Sequence, residues 1–209
     1  MKKPSIAVAK ELREEPIRGF IKLLSHVKKK ALNIKSQSEQ ELMGIVISVV
    51  IRYSTLKLAE IRRTSAEKRE GETWYLHTQI IKVKGYKATF IFRPLADLNV
   101  CPTFRLQQWF QRRQINDKDK PLWFIFQKSR HATYNESSKA IYLIMKQADI
   151  KDNKPVTSIR KFQTTNAIDQ GANKQQKNCF SRHKQGSLIV QTNYDMNLID
   201  TIQQIIAKF

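Results

Sequence analysis

The residues in this sequence best placed for chemistry are cations that could meet a phosphate. Lys82-Val83-Lys84-Gly85-Tyr86-Lys87 sets three lysines in and beside a glycine-bearing turn. Residues 172 to 184 form a second basic stretch, which ends in Arg182-His183-Lys184. Arg160, followed by Lys161, stands near the start of a predicted helix, where unpaired backbone N–H groups and the helix dipole favour an anion. Tyr194 lies between Asn193 and Asp195, which makes it a poor core tyrosine. The pattern points to phosphate binding rather than metal chemistry. Cys101 and Cys179 are far apart, and His26, His77, His131 and His183 do not cluster with them, so no metal site is expected. Two such cysteines fit a reducing, intracellular setting.

The charge balance agrees with that chemistry. Lysine and arginine total 38 against 18 acids, a formal net charge of +20, while the hydrophobic fraction of 41% suits a folded chain. An excess of this size repels itself unless a polyanion neutralises it. Nucleic acid is the first candidate, and an anionic membrane surface the main competitor. The longest apolar run, Ile45 to Ile51, is far too short to span a bilayer, and Met1-Lys2-Lys3-Pro4 is followed by no secretory pattern. No membrane partner is therefore expected.

The elements that must position these cations can be read from periodicity. Residues 1 to 40 form a basic arm in which Ile17, Phe20, Ile21 and Leu24 have helical spacing among Lys22, Lys28, Lys29 and Lys30. This helix either rests on the domain or grips phosphates. From residue 41 to 209 the chain reads as one further domain. Ser38 and Glu41 form a capping box ahead of Leu42, Ile45, Val46, Val49 and Val50, a buried helix. A second helix is expected over about Thr55 to Lys68. Strands are expected over Thr73 to Ile81 and Thr89 to Phe92, the latter stopped by Pro94, joined through the lysine turn as a hairpin. Cys101-Pro102 opens a helix through Leu106, Trp109 and Phe110, and Pro121 to Phe126 is a short apolar segment. Helices follow over Glu136 to Ala148, over Pro155 to Gly171 with glycine as terminator, and over Leu198 to Phe209. The expected class is α+β, mainly α, with a small antiparallel three-stranded sheet.

Several short pieces, in order over residues 40 to 197, resemble the catalytic domain of tyrosine recombinases, the integrase family. Thr55-Leu56-Lys57-Leu58-Ala59-Glu60 is similar to the family's first arginine box, with lysine in the arginine position. Val83-Lys84-Gly85-Tyr86-Lys87 resembles the turn with its catalytic lysine. Val100-Cys101-Pro102 with Leu106 and Trp109 is similar to the helix after the sheet in eukaryotic mobile-element recombinases of the Crypton and DIRS kind. Thr157-Ser158-Ile159-Arg160 resembles the second arginine box, with threonine in place of histidine. His183 and Tyr194 fall near the late histidine and the nucleophile, with a gap slightly longer than usual.

The resemblance implies a site of Lys57, Lys84, Arg160, His183 and Tyr194, with Lys82, Lys87, Lys161, Arg182 and Lys184 touching DNA. In that chemistry a tyrosine oxygen attacks a backbone phosphorus and stays linked to it. Forked arginines steady the charge on the non-bridging oxygens, and a lysine protonates the departing 5′ oxygen. No metal or small-molecule cofactor is involved. Lysine at position 57 keeps the charge and loses the fork, so strand cleavage is expected to be impaired. The implied partner is double-stranded DNA, with self-association on DNA open, in the nucleus of a eukaryote or otherwise in the cytoplasm or nucleoid. Ordinary readings stand beside these: Lys57 and Lys84 as solvated lysines, Glu60 paired with a nearby lysine, His183 incidental. The alternative function is a non-catalytic basic protein that binds RNA, the ribosome or DNA.

Overall fold

The structure is a computed structural model that describes residues 19, 21–31, 33, 36–80, 87–113, 122–150 and 154–171. Its organising element is α2 (Glu39–Ser54), in which every residue from Leu42 to Ser54 is buried. A helix buried on all sides must be central, and α2 packs against α4 (Pro102–Arg113), α5 (Tyr134–Gln147) and α6 (Thr157–Asp169). Its start is the expected capping box: Ser38 Oγ accepts from Glu41 N at 3.1 Å, and Glu41 Oε2 accepts from Ser38 N at 2.9 Å. Gly44 is where α5 comes closest. A Cβ there would stand 2.2 Å from the Ala140 carbonyl oxygen, so only glycine permits this crossing.

The helix of the basic arm, α1 (residues 21–31), rests on the domain. It buries Leu23, Leu24, Val27 and Ala31, while Ile21, expected on the apolar face, is 49% exposed; Ile17 and Phe20 lie outside the described residues. Three of its lysines meet protein acids: Lys22 with Asp149 at 2.6 Å, Lys28 with Asp97 at 2.9 Å and Lys30 with Glu41 at 2.8 Å. Arg105 of α4 is fully buried and bolts this helix down, donating to the Val27 carbonyl at 3.0 Å and to the Asn99 carbonyl at 2.8 Å.

The helix expected over Thr55 to Lys68 is not formed as such. Thr55 takes a left-handed backbone, φ 52°, and ends α2. Only α3 (Leu58–Ile61) is helical, and the chain then enters β1 (Ser65–Arg69). The Ile61 carbonyl, which would have continued the helix, instead accepts from the Trp123 indole and the Thr64 hydroxyl, each at 2.6 Å. Beyond it, Ser65 to Arg69 pairs with β2 (Thr73–Gln79), in register Ser65↔His77 to Arg69↔Thr73. A strand reading Ser-Ala-Glu-Lys-Arg has no intrinsic preference for a sheet. It is held by non-local pairing, and its charges suit an edge.

The expected hairpin is present, as β2 paired antiparallel with β3 (Lys87–Phe92) from Trp74↔Phe92 to Gln79↔Lys87. Its inner face carries Trp74, Leu76, Phe90 and Phe92, and Trp74 packs on Phe110 of α4 with ring centroids 4.6 Å apart. A two-stranded ribbon, β4 (Phe124–Ile125) with β5 (Arg130–His131), completes the architecture before Thr133 caps α5. The fold is α+β, mainly α, with a three-stranded antiparallel sheet in the order β1-β2-β3. Among the described residues no helix is long and apolar enough to cross a membrane.

Candidate nucleic-acid interface

Lys57 occupies the extended position just before α3 and is half-buried. Its backbone is fixed from within its own motif, since Glu60 Oε2 accepts from Lys57 N at 2.8 Å. Glu60 is 1% exposed, so its carboxyl group braces the turn from within the fold. The same residue ties the turn to the sheet, because its carbonyl accepts from Thr78 Oγ1 at 2.7 Å. Thr78 adjoins Gln79, which pairs with Lys87 at the base of the lysine hairpin. The turn bearing Lys57 and the root of that hairpin are thus bonded to each other directly. Lys87 itself is exposed at the first position of β3.

Arg160 stands in the first turn of α6. The helix is anchored by Val156, Ile159, Phe162 and Ala167, all buried. That leaves Arg160 half-buried at the rim and Lys161 exposed. Gln163, one turn beyond Arg160, is fully buried, and neither atom of its side-chain amide has a hydrogen-bond partner among the described residues. Orphan polar atoms this deep are costly and uncommon, and sequence periodicity gave no sign of them. Positions 160 and 163 are neighbours on a helix surface. Because α3 and α6 both pack on α2, Lys57 and Arg160 are carried by elements fastened to one helix. Lys82, Lys84, Arg182, His183, Lys184 and Tyr194 lie outside the described residues.

Part of the basic excess is committed to the fold. Arg105 and Arg113 are buried, and Arg113 donates to the Leu122 carbonyl at 3.0 Å with its guanidinium over the Phe110 ring. Arg52 is 1% exposed near the end of α2, and burial pushes its pKa down. Lys128 and Arg130 both engage Glu136, at 2.6 and 2.8 Å, and hold that carboxyl well below the usual carboxylate range. Comparison with family models, curated proteins and solved structures finds no match for this chain.

Proposed function

We infer that the chain binds double-stranded DNA through a tyrosine-recombinase-like surface and that any strand cleavage it performs is weak. The observation that carries the reading is the Thr78–Glu60 hydrogen bond. It joins the turn of Lys57 to the lysine hairpin, two motifs whose roles in that family require them to act on one phosphate. The net charge of +20 and the placement of Arg160 at a helix start support the same reading. In this reading Tyr194 supplies the attacking oxygen, Arg160 and Lys57 steady the charge on the phosphate, and Lys84 protonates the leaving 5′ oxygen. Lys57, lacking an arginine's fork, gives the weaker clamp.

The test is incubation with nicked duplex DNA followed by denaturing gels scored for a protein–DNA adduct. The wild type should give little or none, and Lys57→Arg should raise it. One missing transition-state donor is worth about a hundred- to a thousand-fold in rate, which bounds the recovery. Tyr194→Phe should abolish any adduct, and an adduct that survives it would refute the assignment of the nucleophile. RNA that outcompetes duplex DNA would point instead to the non-catalytic alternative.

A further inference from the structure

The outward face of the sheet brings together a hydroxyl, an imidazole and a carboxylate, one from each of its three strands. Thr89 of β3 and His77 of β2 are directly opposed in the antiparallel register, with Ser65 of β1 on the other side of His77. Thr89 Oγ1 lies 2.9 Å from His77 Nδ1. Glu67, two residues after Ser65 and so on the same face, brings Oε1 to 3.6 Å from His77 Nε2. The carboxylate is itself fixed. Arg69 Nε donates to the same Oε1 at 2.6 Å, and the Arg69 guanidinium lies 4.1 Å from the dead centre of the Tyr75 ring, the third side chain of this patch.

The charges decide the roles. The Arg69 hydrogen bond holds Glu67 below the usual carboxylate range, so Glu67 is an anion that only accepts. Its contact with His77 is too long for a hydrogen bond and acts as an attraction between the negative charge and a ring N–H. That attraction favours the neutral tautomer with its proton on Nε2. Nδ1 then carries the lone pair, and the group facing it is the Thr89 O–H. A hydroxyl donating to an imidazole that a carboxylate orients is the arrangement that activates a weak nucleophile. Solutes can reach it, since Thr89 is exposed and the His77 side chain is 40% exposed. Lys87, exposed on the same face two residues before Thr89, places a cation about 7 Å along the strand.

We propose that Thr89 is an acylation site, with His77 as its general base and Lys87 as the cation that draws an anionic acyl donor. The donor class is an acyl phosphate, the mixed anhydride of a carboxylic acid and phosphoric acid. The Thr89 oxygen bonds to the acyl carbon, the bond from that carbon to the phosphate oxygen breaks, and phosphate leaves with the electron pair. The hydroxyl proton passes to His77 Nδ1, and the product is a threonine ester. Glu67 is a positioning residue, which sets the tautomer and touches no reacting atom. No step involves DNA, so the site stands or falls independently of the recombinase reading.

The experiment is incubation of the full chain with acetyl phosphate, followed by peptide mass mapping at low conversion. Hydroxylamine separates a threonine ester, which it cleaves, from acetyl-lysine, which it leaves. Thr73 is the internal reference, a hydroxyl on the same sheet face that points to the Gly71 carbonyl instead of an imidazole. Thr89 should be esterified about ten- to a hundred-fold faster than Thr73, toward the lower end for a positioned general base because the face is open to water. His77→Gln should bring Thr89 down to the rate of Thr73. Glu67→Gln keeps the shape without the charge and should slow the reaction, and added salt should then slow the variant less than the wild type. Lys87→Gln should slow labelling by acetyl phosphate and leave labelling by the uncharged p-nitrophenyl acetate unchanged. Esterification of Thr89 no faster than that of Thr73 would overturn the proposal, as would an undiminished rate in His77→Gln or acetylation confined to lysines.

Discussion

Glu60 and Lys57 are joined through the backbone: the buried carboxylate accepts the Lys57 amide proton across 2.8 Å, and the Glu60 carbonyl accepts from Thr78. One acid thus sets the conformation of the turn before α3 and its distance from the hairpin. The ordinary expectation for Glu60, a pairing with a neighbouring lysine's ammonium, understates this role.

Glu60→Ala should therefore destabilise the fold by about 1.5–3 kcal/mol, the usual range for a hydrogen bond to a charged group. Glu60→Gln keeps an acceptor in place and should cost clearly less. Urea unfolding midpoints measure both. Equal losses would mean that the amide contact contributes nothing.

Gly44→Ala should be destabilising, against the usual rule. In a free helix that exchange gains about 1 kcal/mol. Here the new Cβ would meet the Ala140 carbonyl at 2.2 Å and Ile144 Cγ1 at 2.8 Å, so α5 must move away from α2. A loss of about 1–3 kcal/mol is expected from such overpacking, read as a lowered Tm. An unchanged or raised Tm would show that the two helices do not cross this closely.

Stability should fall in acid partly through Glu41. Its carboxylate accepts from Lys30 and Gln147, both at 2.8 Å, and from Ser38 N at 2.9 Å. The Lys30 contact, then the Ser38 and Gln147 bonds, bring its pKa down from 4.5 to about 2. A pKa lowered in the folded state gives stability that is complete above the unfolded value. That stability is lost as pH falls through the interval from 4.5 to about 2. With allowance for partial exposure, the contribution is on the order of 1–2 kcal/mol. Glu41→Gln should flatten the profile of Tm against pH in that interval. Some slope should remain, because Glu136 is depressed in the same direction.

Binding to duplex DNA should weaken steeply with salt, since displaced counterions drive it. Arg160→Ala should lose more affinity than Arg63→Ala, by about 1.5–3 kcal/mol for a direct phosphate contact. Fluorescence anisotropy at several salt concentrations measures both. Equal losses would reduce the interaction to bulk charge, and a flat salt response would exclude phosphate contacts altogether.

Features whose cause is local were legible in the sequence alone. The α2 start was readable because Ser38 and Glu41 satisfy each other's backbone within one turn, and its burial because the apolar run leaves no polar face. The hairpin and the helices after Pro102 and toward Gly171 announced themselves by alternation, by proline and by glycine. The basic surplus was equally plain.

The tertiary structure decided whatever depends on a partner far along the chain. β1 exists because Ser65 to Arg69 finds the open edge of β2, and α3 stops at Ile61 because Trp123, from another segment, takes its carbonyl. The sequence could count 38 basic residues but could not show that Arg105 and Arg113 are internal bolts. Charge and periodicity are properties of the chain read in order. Desolvation and pairing depend on which groups folding brings within a few ångströms, and that distance is fixed only when the helices and the sheet are packed together.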